Sequence, residues 1–108
     1  MTDRELLELA AKAAGLNYRD DLWNAGHVHT EFGWREWNPL TSDGDALRLA
    51  AHLRLTVGDE DQSVRSMAFA YARHTDMPRC YEPSQNDPAA AYRRAIVRAA
   101  AEIGRSRT

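Results

Sequence analysis

Near the start of the chain, Leu6, Leu9, Ala10 and Ala13 recur at helical spacing, with Leu7 and Ala14 flanking the stripe. Thr2 and Glu5 stand just ahead of it as a capping box, and Gly15 followed by Leu16 has the form of a Schellman-type stop. The pattern predicts a first helix that ends at Gly15. From Leu16 to Trp37 the helical period disappears. Tyr18, Trp23, Val28, Phe32, Trp34 and Trp37 are strand formers, interrupted at Asn24-Ala25-Gly26 and at Gly33, which predicts two short antiparallel strands. Asn38-Pro39-Leu40 must then be extended or turned, because a residue before proline avoids the helical region.

A second helix follows, capped by Thr41 or Ser42, with Asp43 and Asp45 in its first turn. Its predicted buried stripe is Ala46, Leu49, Ala50 and Leu53, widened by Leu47, while Arg48, His52 and Arg54 fall off the stripe toward solvent. Leu53 to Val57 alternates as a strand does, and Gly58-Asp59-Glu60-Asp61 reads as a charged turn. Residues 63–73 fit helix or strand; a hairpin partner for 53–57 favours strand, and Met77 to Glu82 reads as a further one. Asp87 caps the last helix, with Pro88 at its first position. Tyr92, Ala95, Ile96, Ala99, Ala100 and Ile103 form its predicted buried face, Arg94, Arg98 and Arg105 its exposed one, and Gly104 its stop. The sum is an α+β chain, α-β-β-α-β-β-α, with one mainly antiparallel sheet packed with three helices as a sandwich.

Composition refines this picture. At 108 residues a single domain, 1–108, is expected. Leu, Ile, Val and Phe make up only about 17% of the chain, so the core must be thin and rich in alanine. Thin cores gain from self-association, which predicts a homo-oligomer, a dimer or larger. A formal charge of -2 argues against general nucleic-acid or membrane-surface binding. Thirteen of the fourteen basic residues are Arg, a bias that suits bidentate phosphate recognition and that GC-rich coding also produces. A single cysteine, no apolar run of membrane length and no basic-then-apolar leader predict a cytoplasmic protein.

Four constellations bear on chemistry. His27, His29 and Glu31 at i, i+2 and i+4 of a strand would form a two-histidine, one-carboxylate metal set, although no fourth ligand is evident and no metal is expected. Cys80 adjoins Arg79, with His74 nearby in sequence, but a lone strand cysteine is ordinarily inert and no catalytic residue is assigned. Asp43 and Asp45 complement the helix dipole, which makes that terminus a poor phosphate seat, though purine amines or ribose hydroxyls can donate to them. The interleaving of Trp34, Arg35, Trp37 and Asn38, with Arg79 and Tyr81 in a later strand, pairs rings that stack on bases with guanidinium forks that hold phosphates. Alternation places Trp34 and Glu36 on one face and Arg35 and Trp37 on the other, so at least one tryptophan belongs to the core. The expected ligand site is therefore Trp34, Arg35, Trp37, Asn38, Asp43, Asp45, Arg79 and Tyr81, with no cofactor.

The runs WNPLTSDGDALRLAAHLRL (37–55) and DPAAAYRRAIVRAAAEIG (87–104) resemble small phage and prophage proteins of the bacteriophage ABA-sandwich type. That resemblance covers about a third of the chain and implies α-β-α layering. More distantly, the order of elements is similar to that of phage anti-defence proteins that sequester cyclic nucleotide signals of the Thoeris and cyclic-oligonucleotide systems. This implies an oligomeric binder without turnover and carries no site residue over. The alternative is a protein-protein adaptor with no small ligand, using the sheet or the arginines at 94, 98 and 105. An enzyme using Cys80 or the histidine pair is the minority expectation.

Overall fold

A computed structural model describes residues 1–22, 25–62 and 65–107. Its elements are α1 (Asp3–Ala13), β1 (Tyr18–Leu22), β2 (Ala25–Thr30), β3 (Gly33–Glu36), α2 (Asp43–Leu53), β4 (Leu55–Gln62), β5 (Arg65–Ala72), β6 (Cys80–Pro83) and α3 (Pro88–Ser106). The protein is α+β, with all its strand pairs antiparallel. In place of one four-stranded sheet there are two three-stranded meanders, β1-β2-β3 and β4-β5-β6, separated in sequence by α2. Each run of three strands meets its hydrogen bonds locally, so neither needs the other's edge. The extra strand in the first half arises at Gly33. Its φ of +102°, accessible at low cost to glycine, follows the turn at Glu31-Phe32 and starts β3.

The ends of α1 follow local chemistry. Thr2 and Glu5 cap each other's backbone N–H. At the other end, Leu16 N–H donates to Ala11 O at 2.9 Å and Gly15 N–H to Lys12 O at 3.1 Å, the two bonds of a Schellman stop. Asp87 and Pro88 open α3 as expected, the Asp87 carboxylate accepting from Ala90 N–H.

Two glycines have other roles than the pattern suggests. Gly104 does not end α3, which runs on to Ser106. It is buried where α3 crosses α1, and a Cβ there would overlap the carbonyl oxygen of Leu9. Gly58 to Asp61 is no turn but part of β4. The Phe69 ring of β5 lies over Gly58, where a Cβ would come within 2.9 Å of the ring edge. Residues 63 and 64, between β4 and β5, lie outside the described residues.

The α3 helix is the hub, packing on α1, α2 and all three strands of the second sheet. Its buried residues extend beyond the predicted stripe to Ala91, Val97 and Ala101, as a helix covered on several sides requires. Tyr92 and, on α1, Leu9 are only half-buried. Against α3 the sheet presents Ala68, Ala70 and Ala72, all buried, so small side chains on both surfaces let backbones approach closely. Arg94 and Arg98 do not form a free arginine face. Arg94 bridges Asp3 and Glu82, and Arg98 donates to Tyr81 O at 2.8 Å and to Glu82 at 3.0 Å, while Arg105 pairs with Glu102. Leu47 does not widen the core stripe of α2: it is 69% exposed. No helix among the described residues is long and apolar enough to cross a membrane.

Candidate functional site

On the first sheet, register and alternation decide which side chains share a face. Val28 pairs with Arg35 and with Tyr18, and Trp37 N–H donates to Gly26 O at 2.9 Å, so Tyr18, Val28, Thr30, Arg35 and Trp37 stand on one face. Gly26 leaves room for the Tyr18 ring, which meets Trp37 edge-on at 5.7 Å between centroids. This face is turned toward α2. Between them lies a pocket of about 220 Å3 with a floor of Leu16, Val28, Trp37 and Leu49 and a rim of Thr30, Arg35, Arg48 and His52. Trp37 is 4% exposed and is the core tryptophan.

Asp45 organises the rim. It is 5% exposed, and one carboxylate oxygen accepts from Arg35 at 2.8 Å and Arg48 at 2.7 Å while the other accepts from Asn38 N–H at 3.0 Å. The Asn38-Pro39-Leu40 turn sets up this geometry: Asn38 Oδ1 accepts from Leu40 N–H, Pro39 is fully buried, and Ser42 caps α2 by accepting from Asp45 N–H. Burial pushes the Asp45 carboxyl up, but the Asn38 amide, Arg48 and Arg35 outweigh it and hold the carboxyl below its ordinary value. A depressed carboxyl adds stability above its unfolded pKa, near ~4, and loses it as pH falls through the folded value. Asp45→Asn is therefore expected to cost about 2 kcal/mol at neutral pH, discounted for two arginines that stay half in water. The gap to the wild type should narrow as pH falls below the ordinary carboxylate range and the Asp45 carboxylate takes up its proton. Chemical denaturation of both proteins across pH checks this, and a gap independent of pH would contradict it.

A second, larger hollow adjoins the pocket and shares Ala14 and His52 with it. It has a volume of about 710 Å3 and is lined by the C-terminal ends of all three helices and the end of β5: Ala13, Ala14 and Gly15; His52, Leu53 and Arg54; Arg73 and His74; and Arg107. Among the described residues, none that lines it is acidic. Cations at helix C-termini are ordinarily explained by the dipole, so the magnitudes matter. Three helix ends supply about -0.5 charge each, against three full guanidinium charges, which leaves the cleft positive by about 1.5 before any imidazole is protonated. Arg107 is partly committed, donating to Ala13 O at 2.6 Å. Arg54 is the one described non-glycine residue with positive φ, at +55°. It closes α2 in the left-handed conformation where glycine is cheapest, and its side chain lines the cleft.

The expected site is thus divided. Arg35 and Trp37 line the pocket, with Asn38 and Asp45 behind them as supports. Trp34 is on the opposite face, 39% exposed, between His29 at 5.1 Å and the Arg19 guanidinium at 5.4 Å, so it cannot stack on a ligand held by Arg35. Asp43 is bound to Arg93 at 2.6 Å, tying α2 to α3, and offers no ligand contact in the pocket. Tyr81 is on β6 of the second sheet and Arg79 directly precedes that strand. There Arg79 covers the rings of Phe69 and Tyr71 at 4.7 and 4.6 Å and bonds to Tyr81, away from the pocket lining. Trp23 lies outside the described residues. Arg48 and His52, expected only to face solvent, are rim residues.

The histidine and cysteine constellations do not assemble. His27 is buried with Nδ1 3.0 Å from Ala25 O, His29 packs on Trp34, and Glu31 sits past the end of β2 in the turn. Among the described residues no group of three His, Cys, Asp or Glu side chains is placed to hold a metal. Cys80 is buried on the inner face of its sheet, and burial raises its thiol pKa, which withholds the thiolate that nucleophilic attack needs.

Arg54, Arg73, His74 and Arg107 were not foreseen as a group because they come from three separate segments, each following the end of an element where a cation is commonplace. One local signal was present: Arg54 stands directly after the last apolar residue of α2, where a helix stop usually has glycine. Comparison with family models, curated proteins and solved structures finds no match to this chain.

Proposed function

We propose that this chain binds a phosphate-bearing, nucleotide-type ligand, with the base in the apolar pocket and phosphate in the adjoining basic cleft. The observation that carries the reading is adjacency: a pocket floored by Trp37, Val28 and Leu49 shares Ala14 and His52 with a cleft that, among the described residues, is lined by three arginines and no carboxylate. Small-ligand sites combine an apolar floor with a few convergent polar groups in this way. Sequestration is proposed in preference to turnover because the described residues of the two linings include no cysteine, serine or carboxylate, and a phosphate held by arginines needs no chemistry to be retained. With the resemblance of segments 37–55 and 87–104 to phage ABA-sandwich proteins, the proposal extends to a phage-encoded sponge for a nucleotide-type defence signal, working as a homo-oligomer in the host cytoplasm.

Native mass spectrometry of the protein with cyclic dinucleotides, cyclic trinucleotides and cyclic ADP-ribose isomers tests this. The expected result is a stoichiometric mass increase with the ligand released unchanged, in a spectrum that also reads the oligomeric state. Absence of any adduct across the panel would overturn the reading in favour of a protein-binding adaptor. One observation favours that second reading: Leu47 stands exposed over an apolar groove formed with Ala46, Ala89 and Ile96 between α2 and α3.

A further inference from the structure

Along α2 the polar and apolar groups of the site occur in a fixed order. The guanidinium of Arg48 lies at one end, beside Arg35 on the same Asp45 oxygen; Leu49 and the pocket floor follow; His52 and Arg54 then open the basic cleft. Arg48 and Arg54 are six residues apart, about 9 Å along the helix axis. The apolar pocket is therefore bordered by cations on two sides. Those on the Arg35 side are fixed in place: the buried carboxylate holds both guanidiniums through one N–H each, 2.8 and 2.7 Å long. A guanidinium has five N–H donors, so each retains donors for a second acceptor, and two arginines on one carboxylate leave a net charge of +1 at that edge.

We infer that the Arg35–Asp45–Arg48 cluster is a second anion subsite, and that the ligand is a nucleotide with phosphate on both sides of its nucleoside. This deepens the reading in the preceding subsection and rests on it. One anion would sit in the Arg54–Arg73 cleft and the other against Arg35 and Arg48, with the ring between them over Trp37. Asp45 is a positioning residue in this arrangement, since it touches the guanidiniums and not the ligand. A mononucleotide with its charge at one end, such as a nucleoside diphosphate, satisfies only half of the site.

Isothermal titration with adenosine and guanosine ligands distinguishes these cases, using the 5′-monophosphate, the 5′-diphosphate and the 3′,5′-bisphosphate of each. The bisphosphate of at least one base is expected to bind about tenfold or more tightly than its diphosphate, although both carry two phosphates. In Arg48→Gln, and separately in Arg35→Gln, each of which removes one guanidinium from the edge of the pocket, that ratio should fall toward one. Thermal unfolding of each variant confirms that it is folded, and the wild-type ratio stands without the variants. Equal binding of bisphosphate and diphosphate would overturn the second subsite while leaving the nucleotide reading in place. Failure of every ligand to bind would overturn both.

Discussion

Replacing Gly104 by alanine is expected to lower the unfolding midpoint by roughly 10–20 °C, the largest effect of any single-methyl change in the chain. Helix propensity alone predicts the opposite sign, since alanine in place of glycine within a helix gains about 1 kcal/mol. Packing decides. The new Cβ would overlap the Leu9 carbonyl oxygen, a backbone atom of α1 that cannot rotate aside as a side chain would. The α1 helix must then move off α3 along an interface built from buried alanines such as Ala10, Ala11 and Ala100, which have no flexible atoms to refill the gap. Overpacking of this kind costs about 1–3 kcal/mol, and sometimes more, even before the lost contacts are counted. Thermal unfolding followed by circular dichroism is the check. A midpoint equal to or above the wild type would mean that the two helices do not approach as described.

Arg54→Gly should move stability and binding in opposite directions. Its left-handed backbone costs an L residue about 1 kcal/mol, which glycine does not incur, so the variant is expected to unfold a few degrees higher. Its affinity for pyrophosphate or ADP should fall about tenfold or more, because a charge-assisted bond in the cleft is lost. The pair of measurements is informative because a purely structural role predicts no loss of binding. Thermal unfolding and titration calorimetry on the same preparation provide both values, and a stabilised variant with unchanged affinity would remove Arg54 from the site.

The features legible in the sequence are those that local chemistry specifies. Thr2 with Glu5, Gly15 with Leu16, and Asp87 with Pro88 bound their helices because each motif satisfies backbone groups within a few residues of itself. Strand alternation separated Trp34 from Arg35 and Trp37 correctly, since the period of two needs no tertiary information. Gly58 and Gly104 were misread for a shared reason: glycine signals a break in local terms, but here it admits a ring and a helix from elsewhere in the chain. The single-sheet expectation failed similarly, because nothing local says whether two hairpins share an edge. Half of the pocket was visible as Arg35 and Trp37, whereas the cleft exists only once three helix ends and the end of β5 meet.

The central claim is that a base pocket and a phosphate cleft act as one site, and an amide NMR titration tests it most directly. Pyrophosphate is expected to shift the backbone amides of Arg54, Arg73 and His74, while ADP shifts those same amides together with Leu49 and the Trp37 indole N–H. Shifts centred on Phe69, Tyr71 and Arg79, or no shifts with either ligand, would contradict the account.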